Sequence, residues 1–303
     1  MKLVLFDDYR LGVIRGDRVM DAMGALEGQW FRRPQDLMEE VIIRWEEMRP
    51  RIQRAVDGKE GVPIDSVRFR PPVPRPSKII CAAVNYLEFG KRETADLDAF
   101  LKSPSGIIGS GDTCTIPPVE ATIFHHEPEL ALVIGKMATG VGQGEAMSHI
   151  FGYCNFLDMS ARGLMPNNRN SFFLGKSWDT FAPMGPALVT ADEVPDPHAL
   201  RIRLWNNDEP RHDFPTSDIA RGIPELVSEY SKVTTLEPGD LIATGVNHQQ
   251  MGAVQDGDVI RMEIAEMGPP LVVHIADPLK REWPRGIDQA MADQVVAAAP
   301  RRT

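Results

Sequence analysis

Apolar and polar positions recur along this chain with two different periods, and the change of period divides it. Residues 3–21 read as strand, turn and strand, with Gly16 and Asp17 between apolar segments in the manner of a hairpin. From Pro34 to Asp57, Leu37, Val41, Ile42 and Trp45 recur at helical spacing. Pro50 is expected to end or kink that helix, because it lacks an N–H and its ring crowds the preceding turn. These elements make a small N-terminal α/β unit, residues 1–72. It closes in "RFRPPVPRPSK", residues 68–78, where four prolines favour an extended connector.

From Ile79 onward short strand-like runs alternate with Gly/Pro turns, among them "KIICAAVNY", "ELALVIGKM", "GPALVTADEVP", "LRIRLWNNDEP" and "GDLIATGV". Helical signals are confined to residues 217–233 and 143–150. The tail beyond Asp277 is weakly patterned, and its end, "AAAPRRT", is expected to fray. The chain therefore predicts a mainly β, α+β protein in which residues 73–303 form a larger β-rich domain.

Composition narrows the function classes. The longest apolar runs, such as "ELALVIG" and "PPLVVHI", fall far short of the ~20 residues that cross a bilayer, so no membrane partner is expected. The start "MKLVLFDDYR" turns acidic within seven residues and lacks the apolar core of a secretory signal, so a cytoplasmic protein is expected. Cys81, Cys114 and Cys154 are widely spaced with no CxxC pair and read as small buried apolar residues. Thirty-three basic against 43 acidic side chains, net −10 with no basic run, argue against nucleic acid.

Candidate chemistry begins in "FHHEPELALVIGK", residues 124–136. On a strand, Glu127 and Glu129 project to one face, two like charges beside an apolar run. Solvent, a shared proton, a basic partner or a hard cation can each relieve that conflict. Pro128 between them fits a strand start or edge. Of the adjacent His125 and His126, at most one faces the same way. Asp158 in "FGYCNFLDMSARG" adds a third oxygen ligand, and three carboxylates without cysteine suit Mg²⁺, Mn²⁺ or Ca²⁺ better than zinc.

Read together, "CAAVNY", "FLKSPSGIIGSGD", "HHEPELALVIGK", "FGYCNFLDMSARG", "GKSWDTFAPMGP", "VTADEVPDP" and "LEPGDLIATG" resemble, in order, the fumarylacetoacetate hydrolase family, over roughly Ile79 to Asp277. The resemblance implies a mixed β-sandwich or roll around a metal pocket, a small N-terminal domain in front of it, and a homodimer. It assigns Glu127, Glu129 and Asp158 to Mg²⁺ or Mn²⁺, with Ca²⁺ a further candidate. Arg162 matches a substrate-binding arginine, Lys176 a pocket lysine that holds an anionic oxygen, and Thr180 a threonine near the metal. Tyr86 of the N-Y motif and Asn247 are counted with the substrate-binding residues.

The departures from the family pattern are informative. Phe89 stands where members carry a water-activating histidine, and Arg92 stands where its acidic partner often falls. Glu88 or Glu93 is then the available acid, with Glu93 counted as catalytic. His248, in "ATGVNHQQMG" where members commonly show T-G-T-P, is the candidate for the missing imidazole, since histidine is the side chain that exchanges protons near neutral pH as a general base.

The expected activity is metal-dependent hydrolysis of a C–C bond in an acylpyruvate or related 1,3-diketone, the chemistry of aromatic catabolism. A decarboxylase, hydratase or tautomerase of 2-oxo acids, and an inactive binding homologue, are the alternatives. The partner is a small oxo acid or diketone. Walker, dinucleotide-binding and HExxH motifs are absent, and "GIIGSGD" and "GVGQGE" read as turns.

Overall fold

The computed structural model describes residues 1–165 and 171–297. Its backbone is an eleven-stranded sheet, in the order Val62–Pro63, Arg18–Asp21, Arg10–Arg15, Lys2–Phe6, Ala187–Thr190, Ile150–Leu157, Pro128–Ile134, Leu241–Ala243, Ile79–Ala82 and Ala99–Lys102, with Phe69–Arg70 also paired to Lys2–Phe6. Pairing is antiparallel except between Leu241–Ala243 and Ile79–Ala82, so the sheet is mixed. A second sheet of five strands runs Glu209–Pro215, Arg201–Asn206, Val259–Glu263, Leu271–Ala276 and Thr113–Thr115. The fold is α+β and mainly β, as expected.

Strand periodicity explains how the layers stack. In Pro128–Ile134, Leu130, Leu132 and Ile134 enter one apolar core while Ala131 and Val133 enter the other. This strand is buried on both faces, which is why it reads as a continuous apolar run rather than an alternating one. The first core lies between the large sheet and the five-stranded sheet, and Ile223, Leu226 and Val227 of the helix Ile223–Val233 join it. The second takes Leu37, Met38, Val41, Met48 and Ile52 from the helices Pro34–Ile43 and Trp45–Val56.

The helical expectation for residues 34–57 needs one correction. The break falls at Arg44, and Pro50 lies inside the second helix rather than at its end. Pro50 is at the sixth position of that helix, so it forgoes a bond within the second turn, while buried Met48, Ile52 and Val56 hold the helix to the core. The strands of residues 1–72 extend the large sheet through the pairing of Lys2–Phe6 with Ala187–Thr190.

The weakly patterned tail beyond Asp277 holds an element that its pattern does not announce. Residues 289–297 form the helix Gln289–Ala297, packed through Ala292 and Val295. Residues 298–303, which include the last of the tail, lie outside the described residues. Among the described residues no helix is long and apolar enough to cross a membrane.

Candidate active site

The acidic residues are brought together by strand register. Pro128 pairs with Leu157 and Glu129 with Phe156, so the first turn of one strand lies against the last of its neighbour. The chain then leaves the ladder with Asp158 N–H donating to the Glu127 carbonyl at 2.9 Å. Pro128 opens a central strand, where a missing N–H at the first position costs no interior ladder bond. Glu127, Glu129 and Asp158 are all buried, and each offers a carboxylate oxygen within 4.8 Å of the other two.

Basic groups balance part of this charge. Buried Lys176 donates to Glu127 Oε2 at 2.8 Å and to Asp158 Oδ2 at 2.5 Å. Lys102 donates to Asp158, Arg162 to Glu127, and the Ser160 hydroxyl to Glu127 Oε1 at 2.6 Å. Burial alone would raise the Glu127 carboxyl, but Lys176 and Arg162 beside it hold it well below the usual carboxylate range. Glu129 has the opposite balance. Burial pushes it well above that range, and the charges of Asp158 and Glu127 push it further.

Among the described residues, the one hydrogen-bond donor to the Glu129 carboxylate is the Gly245 N–H at 2.6 Å. Gly245 has φ +93°, a conformation open to glycine that aims this N–H into the site. Glu129 is thus a buried carboxylate short of positive charge, beside two others whose oxygens keep further lone pairs. An all-oxygen donor set of this kind fits a hard divalent cation of the Mg²⁺ or Mn²⁺ type.

The three carboxylates open on a cavity of about 690 Å³ whose walls also carry Arg162, Lys176 and His248. His248 reaches it from a short turn after the strand Leu241–Ala243. Its Nδ1 lies 2.7 Å from Glu88 Oε1, and its backbone N–H donates to Glu88 Oε2 at 2.8 Å. Glu88 is fully buried behind it. The carboxylate fixes the proton on Nδ1 and leaves Nε2 as the basic nitrogen.

Glu88 and Phe89, with φ of 55° and 58°, precede Gly90 at 74°, so three consecutive left-handed residues fold the segment inward. That conformation costs non-glycine residues ~1–2 kcal/mol each. Asp218 offsets it by accepting from the Phe89 N–H at 3.1 Å and the Asn247 side chain at 2.7 Å, which clasps the two loops together.

Several sequence assignments are corrected here. Glu93 is exposed and does not line the cavity; the acid that meets His248 is Glu88. Tyr86 is fully buried, edge-on to Phe214 with ring centroids 5.2 Å apart, and is a core residue rather than a substrate contact. Asn247 is also fully buried; its side chain donates to Asp218 and accepts from the Gln249 N–H, so it shapes the loop. Thr180 Oγ1 accepts from the Thr115 N–H at 2.9 Å and stays off the cavity wall.

The adjacent histidines do face opposite ways. His125 Nε2 meets Asp288 Oδ2 at 3.0 Å and its Nδ1 accepts from Arg162, which ties the chain before the C-terminal helix to the acidic cluster. His126 turns to His212, with His212 Nε2 and His126 Nδ1 3.2 Å apart.

Sequence reasoning missed Lys102, Asp218 and Asp288. The one available signal was Lys102, a lysine in the buried phase of Ala99–Lys102 while Leu101 beside it faces out.

The family description "Fumarylacetoacetate (FAA) hydrolase C-terminal" matches residues 78–272. The chain belongs to the fumarylacetoacetate hydrolase family. It is 33% identical over 285 residues to a maleylpyruvate hydrolase of Aquipseudomonas alcaligenes, covering 88% of this chain and 97% of that one. It is 36% identical over 218 residues to the oxaloacetate tautomerase FAHD2A of Bos taurus, covering 68% and 69%. Among solved structures, the maleylpyruvate hydrolase of Sphingobium sp. SYK-6 in complex with manganese(II) and pyruvate superposes with a TM-score of 0.82 at 38% identity, covering 91% of this chain and 99% of that one. The Cys-free, all-carboxylate cluster of this family member agrees with an oxygen-seeking ion of that kind.

Proposed function

We propose that this protein is a metal-dependent hydrolase that cleaves the C–C bond of an acylpyruvate, a 2,4-dioxo acid. The observation that carries the reading is the His248–Glu88 pair opening on the same cavity as Glu127, Glu129 and Asp158. Glu127, Glu129 and Asp158 would hold a divalent ion, which when bound would supply Lewis acidity to the cavity.

The remaining steps belong to this chain's own groups. His248 Nε2 takes a proton from water, and Glu88 stabilises the imidazolium that results. The water oxygen bonds to the acyl carbon, and the bond from that carbon to the methylene breaks. Its electron pair stays with the pyruvyl fragment as an enolate, whose charge Lys176 and Arg162 face. His248 returns a proton to the methylene carbon. One water is consumed, and a carboxylic acid and pyruvate leave.

The tautomerase relative supports a second reading, in which His248 moves a proton between carbon and oxygen of a 2-oxo acid without adding water. Incubating the protein with acylpyruvates and with oxaloacetate, with Mn²⁺ and with EDTA, separates the readings by product mass. Hydrolysis gives two acids, tautomerisation leaves the mass unchanged and decarboxylation releases CO₂. Activity that survives chelation rejects the metal site.

Two further assignments go with this reading. Residues 1–72 act as a structural unit that extends the sheet, while residues 73–303 carry the chemistry. The chain pairs as a homodimer in the cytoplasm; exposed Leu101, Phe173 and Leu174 around the helix Phe172–Lys176 support the pairing, and sedimentation tests it.

A further inference from the structure

Arg92 is a charged group on the cavity wall that the steps above leave unused. It is 8% exposed and follows the left-handed run Glu88–Gly90. Its Nε donates to the Glu93 carbonyl at 3.2 Å and one terminal nitrogen donates to the Val295 carbonyl at 3.1 Å. A guanidinium has five N–H groups, so most of its donors remain for a ligand.

The other cations of the site, buried Lys102 and Lys176 and half-buried Arg162, each meet a carboxylate: Lys102 meets Asp158, Lys176 meets Glu127 and Asp158, and Arg162 meets Glu127. Among the described residues no ion pair forms on Arg92. The remaining acids on the wall are otherwise placed. Asp96 and Asp98 are exposed to solvent, and Asp288 is bonded to His125. A cation withdrawn from water without a counter-charge is costly unless an anion completes it. The planar fork of arginine matches a carboxylate with two parallel bonds.

We propose that Arg92 receives a second carboxylate, at the far end of the substrate's acyl arm, and is the residue by which this cavity selects an arm that ends in an anion. The C-terminal helix shares in this role. Its Val295 carbonyl orients the guanidinium, and Met291 and Gln294 line the adjoining wall. Gln249 donates to the Ala292 carbonyl at 3.2 Å, which fastens the helix to the His248 turn. Arg92 itself lies within residues 78–272, while the helix that orients it lies beyond that matched family region.

The inference rests on the hydrolase reading, and its test is arranged to fail separately. Two acylpyruvates of equal length, one ending in a carboxylate and one in a carboxamide, are compared on the Mn²⁺-loaded wild type, Arg92→Met and Arg92→Lys. The wild type favours the carboxylate. Arg92→Met loses about 10- to 100-fold on it, chiefly through KM, the scale of one hydrogen bond to a charged group. Turnover of the carboxamide changes less than about threefold by the same reasoning, and Arg92→Lys regains part of the loss.

Equal loss on both substrates, or an undiminished preference in Arg92→Met, overturns the assignment. Should the wild type cleave neither, the hydrolase reading falls, and the assignment is judged by calorimetric binding of 2-oxoglutarate against 2-oxopentanoate. Tighter binding of the dicarboxylate in the wild type, abolished in Arg92→Met, upholds it; equal binding in the wild type overturns it.

Discussion

Glu127, Glu129 and Asp158 reach the cavity from two hydrogen-bonded strands, whereas Glu88 and His248 reach it from loops joined by side chains. On the first wall, the register of two paired strands fixes Glu129 within a strand buried on both faces and Glu127 and Asp158 at the strand ends, joined by their own backbone bond. On the second, Asp218 clasps the loops and the C-terminal helix closes over them through Arg92, Gln249 and the Asp288–His125 bond. A ladder holds position by many bonds at once, while a loop contact depends on a few. Charges that must stay close in spite of repulsion sit on the rigid side. The base that must exchange protons with a moving substrate sits on the adjustable side.

The contrast is tested most severely by removing one carboxylate from the rigid wall. Glu129→Gln should keep the fold, because its burial already disfavours the charged form. It should lose more than about 10³-fold in kcat/KM with a parallel loss of Mn²⁺ affinity, since Lewis-acid help amounts to several kcal/mol. Intact Mn²⁺ binding in a calorimeter would remove Glu129 from the ligand set.

Asp218→Ala should act on the adjustable wall alone. With the clasp gone, we expect kcat to fall about 10- to 100-fold, the scale of a small misplacement of a catalytic group, with Mn²⁺ affinity unchanged. A loss of metal binding in that variant would mean the two walls are not independent.

The smallest effect concerns acid. Burial, and then the neighbouring His126, hold His212 well below its ordinary pKa, so it is neutral in the fold. Below about pH 6.5 the unfolded chain therefore binds a proton that the folded chain refuses. Stability from this source is complete above that pH and is lost progressively as pH falls, by at most ~1.4 kcal/mol per unit. Urea midpoints measured on both sides of that pH should show a shallower fall for His212→Gln than for the wild type; equal slopes would place the acid sensitivity elsewhere.

How much of this was legible in sequence follows the same division. The acidic cluster could be read from the i, i+2 spacing of Glu127 and Glu129 and from the motif around Asp158, because strand periodicity determines facing. His248 was identified because the expected histidine position holds Phe89. Tyr86, Asn247 and Glu93 were misassigned because loop residues have no fixed period. The left-handed run at Glu88–Gly90 turns Glu88 inward and leaves Glu93 exposed, and no local pattern announces it. The C-terminal helix escaped notice since only Ala292 and Val295 of its nine residues are buried, too little for an apolar stripe.

The most direct measurement is the fate of labelled water. Wild-type protein with Mn²⁺ and a dicarboxylic acylpyruvate in H₂¹⁸O is followed by mass spectrometry, beside His248→Asn shown by calorimetry to bind Mn²⁺ normally. The account predicts one heavy oxygen in the acid released by the wild type, and release slowed by about 10²–10⁴-fold in the variant, the usual scale of general-base help. Isotope incorporation at an unchanged rate in His248→Asn, or a substrate that changes tautomer without taking up water, would contradict it.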